Sequence, residues 1–387
     1  MTYRKFDPLE RDLVSAAARC STMSLAGAAD ADRAGRFPED SYRAAAEAGL
    51  VGLAVPQIYG GHGVSAVAQV AIIEALAGGC AAVVGAVIGN GIQAALSLLH
   101  GASPELCKRV LPPLVRGQIQ VAFAISEPDA GSDAAAMQCR ATRTSDGWRI
   151  DGVKTMVNRA ALSSAAVVFA TADPALRHRG ITPFLVNLEQ AGVAIGPPMR
   201  KMGQRALPTA PISFDGAVVC DSHRLGAPGS GFALMMKVIT HARTMVAANA
   251  VGRMDAALGH AVGHVRRRHQ FGAPLSDLDM VKAEISDMAV SVSAGRCLTE
   301  RAALAMDESL GDETFSAATA KLFATDACID VCRRAMLLCG GMGYGDAHPV
   351  ERMMRDAMAG QVVDGANPVQ KQIIAREVLR GARERNE

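Results

Sequence analysis

The chain has 387 residues, 50% of them hydrophobic, and 40 basic against 38 acidic side chains leave a formal net charge of +2. That length exceeds a single hydrophobic core, so two or three layers or subdomains are expected. The near-neutral balance gives no global field for nucleic acid or anionic membrane, and an aromatic content of 4% leaves few stacking platforms for single strands.

No stretch approaches the roughly 20 uninterrupted apolar residues of a membrane-spanning helix. Met1 to Asp12 carry Arg4, Lys5 and Arg11 without an apolar run behind them, unlike an ordinary secretory signal, and the expected location is the cytoplasm. Nine cysteines, an odd number with no CxxC pair, read as reduced thiols, with Cys328, Cys332 and Cys339 as small core residues. His260 and His264 have metal-ligand spacing but no evident third ligand, so no metal is expected.

From Asp7 to Arg116 the pattern is helical, punctuated by Pro38, the Gly60 to Gly63 cluster and Pro112-Pro113, with Ser103-Pro104-Glu105 as a helix start. Between Val121 and Cys220 short β-type runs follow (VAFAIS, WRIDG, AAVVFATA, TPFLVNL, ISFDGAVV), separated by turn dipeptides such as Asp146-Gly147 and Asp151-Gly152. From Gly231 onward long helices return, near Phe232 to Arg268, Asp277 to Glu308, Asp312 to Leu338, Val350 to Met358 and Pro368 to Arg385. The expectation is an α+β protein: an N-terminal helical domain over 1–119, a middle β-barrel or sandwich over 120–228, and a C-terminal four-helix bundle over 229–387. Ligand pockets favour such domain interfaces.

The segment Phe123-Ala-Ile-Ser-Glu-Pro-Asp-Ala-Gly-Ser-Asp133 runs from a strand into a turn that exposes backbone N–H groups and hydroxyls. Taken alone it could be an ordinary turn. It is followed, in order, by Lys201-Met-Gly-Gln-Arg205, Arg268-His-Gln-Phe-Gly272, Gly340-Gly-Met-Gly343 and Arg352-Met-Met-Arg-Asp-Ala357. Together these motifs, spanning most of the chain, resemble those of the acyl-CoA dehydrogenase family, whose helix–sheet–helix architecture matches the order above.

The resemblance implies FAD as cofactor and an acyl thioester as substrate, oxidised to its α,β-enoyl form. Phe123, Ile125, Ser126, Gly131 and Ser132 match positions lining flavin or thioester. Arg268 and Phe271 match positions on the FAD of a neighbouring subunit, and Gly340, Gly341 and Gly343 a turn beside its adenosine half, so a homotetramer or dimer is implied. Arg243 matches an arginine beside the thioester. The base position falls in Val362-Val363-Asp364-Gly365-Ala366-Asn367, which makes Asp364 the implied base and Val363 and Gly365 its substrate-side neighbours. At the alternative base position stands Ala242.

Several positions depart from the family: Met156 replaces a tryptophan against the flavin, Asn158 and Ala366 replace threonines, Asp279 a glutamine, Val363 a tyrosine and Thr240 an aspartate. Val363, with Ile88 at the pocket floor, suggests a locally wider apolar pocket for a short, branched or cyclic acyl group, while Thr240 bears on the carrier. A carboxylate between a valine pair and a glycine is expected in an apolar cleft, where desolvation raises its pKa for proton abstraction. The competing reading is a helix cap, since Asp-Gly-Ala-Asn-Pro is a good turn.

Two rivals stay open: a nitroalkane-oxidase-like oxidase, suggested by Asp364-Gly365-Ala366-Asn367 but weakened by Lys371 where that relative has arginine, and a non-catalytic flavin-binding homologue. Coenzyme A is the expected carrier, with an acyl carrier protein as the alternative, and an electron-transferring flavoprotein is the expected electron acceptor.

Overall fold

The computed structural model describes residues 5–384; Arg4 and the expected helix end at Arg385 lie outside them. Six helices come first: α1 (Pro8–Ala34), α2 (Glu39–Glu47), α3 (Ala66–Leu76), α4 (Ala81–Ile88), α5 (Ala95–Gly101) and α6 (Pro104–Val115). Ser103 caps α6 as expected, accepting from Leu106 N at 3.2 Å. Pro112-Pro113 does not end that helix but lies inside it.

A seven-stranded sheet follows, built from β1 (Val121–Ala124), β2 (Arg140–Thr144), β3 (Gly147–Asn158), β4 (Ala165–Thr171), β5 (Ile181–Asn187), β6 (Val193–Ile195) and β7 (Thr209–Val219). Its path is β1-β4-β2-β3-β7-β6, with β5 paired to β4. Strand alternation sends Ala122, Ala124, Val168 and Ala170 into one apolar cluster with Trp148 and Phe184. The intervening Val121, Val167 and Phe169 join the larger core formed by the N-terminal helices.

The expected turn at Asp151-Gly152 is instead a register shift inside β3. Gly152 has φ +137°, and an added Cβ would lie 2.8 Å from Cys139 Cα, so glycine serves a close approach here rather than a reversal. A second shift between Lys154 and Val157 is where Met156 takes a left-handed φ of 56°.

The C-terminal part holds α7 (Gly231–Arg267), the ribbon β8 (His269–Gln270) and β9 (Ala273–Pro274), α8 (Asp279–Glu308), α9 (Glu313–Leu338), α10 (Gly340–Tyr344), α11 (Pro349–Ala357) and α12 (Asn367–Glu384). Alanines and Cys328, Cys332 and Cys339 fill the core between α7, α8 and α9. The Gly340–Gly343 segment, expected as a turn, closes into a short helix.

One helical stretch, Ala81–Gly101, is long and apolar enough to cross a membrane by length and composition, although Asn90, Gln93, Ser97 and His100 interrupt its apolar run. Its window is 83% buried inside the protein. Within it, Gly89–Ala94 forms a π-helical turn joining α4 to α5. Gly91 packs there against Val51, where a Cβ would lie 2.4 Å from the carbonyl oxygen.

Asn90, fully buried, donates from Nδ2 to Tyr42 Oη (2.8 Å) and the Ile119 carbonyl (3.1 Å). Its Oδ1 accepts from Val121 N (2.9 Å) and Arg159 Nη1 (3.2 Å), which fastens the π-turn to the start of β1 and the end of β3. Asn90→Leu orphans these buried groups, at about 1–3 kcal/mol each. A drop of several degrees in melting temperature is expected; an unchanged melt would refute this anchoring.

Candidate active site

The sequence candidates fall into three groups. The first lies where β1 leaves the sheet. Phe123 and Ile125 are partly buried against the helical core, and Ser126 accepts from Thr155 N through its carbonyl at 2.8 Å. Next to Thr155, Met156 is 53% exposed, and Asn158 Oδ1 accepts from Thr209 Oγ1 at 2.7 Å. The Ser126 hydroxyl and Asn158 Nδ2 have no hydrogen-bond partner among the described residues. An exposed apolar side chain flanked by unpartnered polar groups fits a flat, acceptor-bearing ring. Gly131 and Ser132 are exposed on the following turn, and a Cβ at Gly131 would meet nothing within 4 Å.

Behind that turn, Lys154 and Glu127 form a buried ion pair at 2.7 Å. Lys154 Nζ also donates to the Ile125 carbonyl at 2.8 Å, and Glu127 accepts from the amides of Gln138 (2.6 Å) and Cys139 (3.0 Å). Every oxygen and donor thus has a partner, as a buried pair requires. The pair locks the turn to the β3 bulge. Glu127 sits inside the motif read from sequence, but its cation was not identified there.

The second group surrounds Asp364, which is half-buried with φ 52° just before Gly365 at φ +91°. Its Oδ1 accepts from Gln93 Nε2 at 2.7 Å, and its backbone carbonyl from Arg243 Nε at 2.9 Å. Gln370 Nε2 (2.6 Å) and Lys321 Nζ (3.0 Å) both donate to the Gly365 carbonyl. Lys321 also donates to Asn367 Oδ1 at 2.7 Å, while Asn367 Nδ2 donates to Asp326 Oδ1 at 2.7 Å. Arg243 and Gly365 are therefore brought to Asp364, and half-buried Val363 adjoins it.

The valine pair does not form an apolar cleft: Val362 is 64% exposed, and the walls near the carboxylate are Gln93, Arg243 and Lys321. Burial still pushes the Asp364 carboxyl above its usual range, against the opposing pull of Arg243, Lys321 and the Gln93 hydrogen bond. Desolvation likewise lowers Lys321 to about 8. The carboxylate caps no helix among the described residues, because α12 begins at Asn367 and the Asp364 side chain turns to Gln93. Asn367, which suggested the nitroalkane-oxidase likeness, has its amide occupied by Lys321, Thr325 and Asp326.

The third group lies on the C-terminal helices. Arg268 follows the last residue of α7, and Phe271 is 91% exposed with φ 53°. Added Cβ atoms at Gly340 and Gly341 would meet nothing within 4 Å, whereas Gly343 packs on Met336, whose carbonyl oxygen would lie 2.5 Å from a Cβ. Gly343 is required by the chain's own packing and Gly340 favoured by its left-handed φ of +60°, whereas Gly341 has neither constraint. No described hydrogen bond or ion pair connects this group with the first two.

No sequence motif marks Gln93, Lys321 or Gln370 as neighbours of Asp364. Gln93 had one signal, an amide in an otherwise apolar helix; nothing local marks Lys321 as facing a loop 43 residues later, since such contacts are set by tertiary packing.

Sequence profiles of the acyl-CoA dehydrogenase N-terminal, middle and C-terminal domains match residues 8–118, 122–217 and 229–379. A chain of Mycobacterium tuberculosis described as a probable acyl-CoA dehydrogenase is 35% identical over 91% of this chain and 90% of its own length. The human mitochondrial short-chain specific acyl-CoA dehydrogenase is 34% identical over 92% of this chain and 86% of its own. The structure of butyryl-CoA dehydrogenase from Megasphaera elsdenii superimposes with a TM-score of 0.94 at 29% identity, covering 98% of this chain and 100% of that one.

Breaking a buried ion pair by removing one partner costs about 3–5 kcal/mol. Lys154→Met is therefore expected to lower the melting temperature markedly, whereas Arg149→Met, which removes an exposed pair to Asp151, changes it little. Equal shifts for the two variants would contradict the assignment.

Proposed function

The chain belongs to the acyl-CoA dehydrogenase family, flavin oxidoreductases of CH–CH donors with FAD as cofactor, and on that premise we propose that it desaturates a short, branched or cyclic acyl thioester with Asp364 as base. The observation that carries this reading is the Asp364 carboxylate: half-buried, raised in pKa by desolvation, and turned toward a helix wall instead of an amide of α12.

The carboxylate takes the proton from the carbon α to the thioester carbonyl. FAD, when bound, accepts the hydride that leaves the β-carbon, so the substrate loses two electrons and gains a C=C bond. Ser126, Met156 and Asn158, with Phe123, Ile125, Gly131 and Ser132 beside them, would hold the flavin; their unpartnered polar groups and open surface support this. Arg243 acts on Asp364 through the backbone, fixing the loop instead of neutralising the carboxylate. Gly365 keeps that loop close, since an added Cβ would lie 2.8 Å from Gln370 Nε2. Such clamping matters because an error of about 1 Å in base placement can cost on the order of 10²-fold in rate.

Ile88 is buried at 5% exposure and supports a short pocket, as do relatives named for short-chain and butyryl substrates. Coenzyme A is the proposed carrier and an electron-transferring flavoprotein the proposed acceptor. Phe271, Met280, Met342 and Tyr344 are 66–91% exposed, and their apolar surface supports a homo-oligomer in which Arg268, Phe271, Gly340 and Gly341 face a neighbouring subunit.

General-base removal typically costs 10²–10⁴-fold. Asp364→Asn is expected to keep its flavin and lose turnover by about that much. Wild-type turnover should fall as pH drops through a midpoint above the ordinary carboxylate range, since only the deprotonated base acts. Full turnover in Asp364→Asn would sink the assignment.

A further inference from the structure

Gln93 makes the one hydrogen bond to the Asp364 carboxylate found among the described residues, from Nε2 to Oδ1 at 2.7 Å. The other oxygen, Oδ2, takes no hydrogen bond from the described residues and is not fully buried, so it keeps some exposed surface. We propose that Gln93 is the positioning residue of the base, its amide anchoring Oδ1 and leaving Oδ2 as the oxygen that takes the α-proton. This deepens the reading of Asp364 given above and rests on it.

An aspartate holds its carboxyl close to the backbone, and rotation about its last torsion is soft, with broad wells. A single directed donor removes that freedom. Two nearby cations could compete for the carboxylate, but both are engaged elsewhere. Arg243 Nε points at the Asp364 carbonyl, and Lys321 Nζ at the Gly365 carbonyl and Asn367 Oδ1.

The reach of Gln93 follows from the π-turn. Gly91 lets the helix close on Val51, and Asn90 fixes the turn to β1 and Arg159. Three residues on, Gln93 then faces the opposite partner, the Asp364 loop. Ala95 N bonds to the Asn90 carbonyl, five residues back, and Ser97 Oγ donates to the Gln93 carbonyl at 2.6 Å. The widened turn is therefore internally satisfied, and such π-turns are frequent at functional sites.

The groups facing the carboxylate are Gln93 from the π-turn, Arg243 from α7 and Lys321 from α9, with Asp326 of α9 acting on Lys321. Arg243 and Lys321 stay in place when Gln93 is changed. A hydrogen bond to the charged form favours it, so loss of the donor raises the base's midpoint.

The test compares holoenzymes of wild type, Gln93→Met, Gln93→Glu and Asp364→Asn on an acyl-CoA that the wild type oxidises, measuring kcat, KM and flavin content against pH. Gln93→Met keeps size and loses the donor. Its expected behaviour is a kcat lower by up to about 10²-fold, little change in KM, full flavin content and a pH midpoint moved upward. A Gln93→Met holoenzyme with wild-type kcat and midpoint, beside an inactive Asp364→Asn, overturns the role of Gln93 alone. An active Asp364→Asn instead overturns the base on which it rests.

Should Gln93→Met fail to hold flavin, Gln93→Glu decides. A protonated glutamic acid can still donate to Asp364, whereas an ionised one repels it. A kcat profile that falls at high pH as well as low supports the proposal. A profile like the wild type overturns it.

Discussion

An amide enclosed in an apolar helix must find partners, and that constraint, at fully buried Asn90 and half-buried Gln93, organises the rest of the site. The Ala81–Gly101 stretch is among the most apolar in the chain and mostly enclosed, so each polar side chain on it is costly unless satisfied. Asn90 satisfies itself on β1, Arg159 and Tyr42, and Gln93 on Asp364. The widened turn serves both. The result is a mechanical connection from the sheet that presents Ser126 and Met156 to the loop that presents Asp364, passing through one segment, Gly89–Ala94.

The same economy of partners explains the electrostatics. Arg243, Lys321, Lys154 and Arg159 are all buried cations, and three of them lie beside the candidate residues. Buried charge is tolerated where its N–H groups are met. Lys154 has Glu127, but Arg243 and Lys321 give hydrogen bonds to backbone carbonyls of 364 and 365 and to Asn367. Two cations therefore stand close to Asp364 without forming an ion pair with it. Desolvation outweighs their attraction, and the carboxyl is raised. A loop in left-handed backbone at Asp364 and Gly365 is the kind of strained segment that surrounding contacts have to hold.

The helix–sheet–helix order was legible because long amphipathic or alanine-rich runs and short alternating runs have different periods. Both boundaries of α8 and α9, and the start of α12, match the sequence pattern to within about two residues for the same reason. Punctuation was less legible: Asp151-Gly152 has turn chemistry, but its glycine is there to pass Cys139, and Pro112-Pro113 lies within a helix. At the proposed site, motif order points to Asp364, whereas its surroundings differ from those the sequence suggests. Adjacent valines suggested an apolar cleft, but neighbours in sequence need not be neighbours in space, and Val362 faces outward. The residues that do surround the carboxylate come from positions 93, 243 and 321, and no local pattern links them.

The most direct measurement is the visible spectrum of the purified holoenzyme under anaerobic conditions, titrated with short, branched and cyclic acyl-CoA thioesters. Bleaching of the flavin band by at least one thioester, with the matching enoyl product recovered, is the result expected of a thioester dehydrogenase. A band left intact by every acyl-CoA but bleached by a nitroalkane would contradict it.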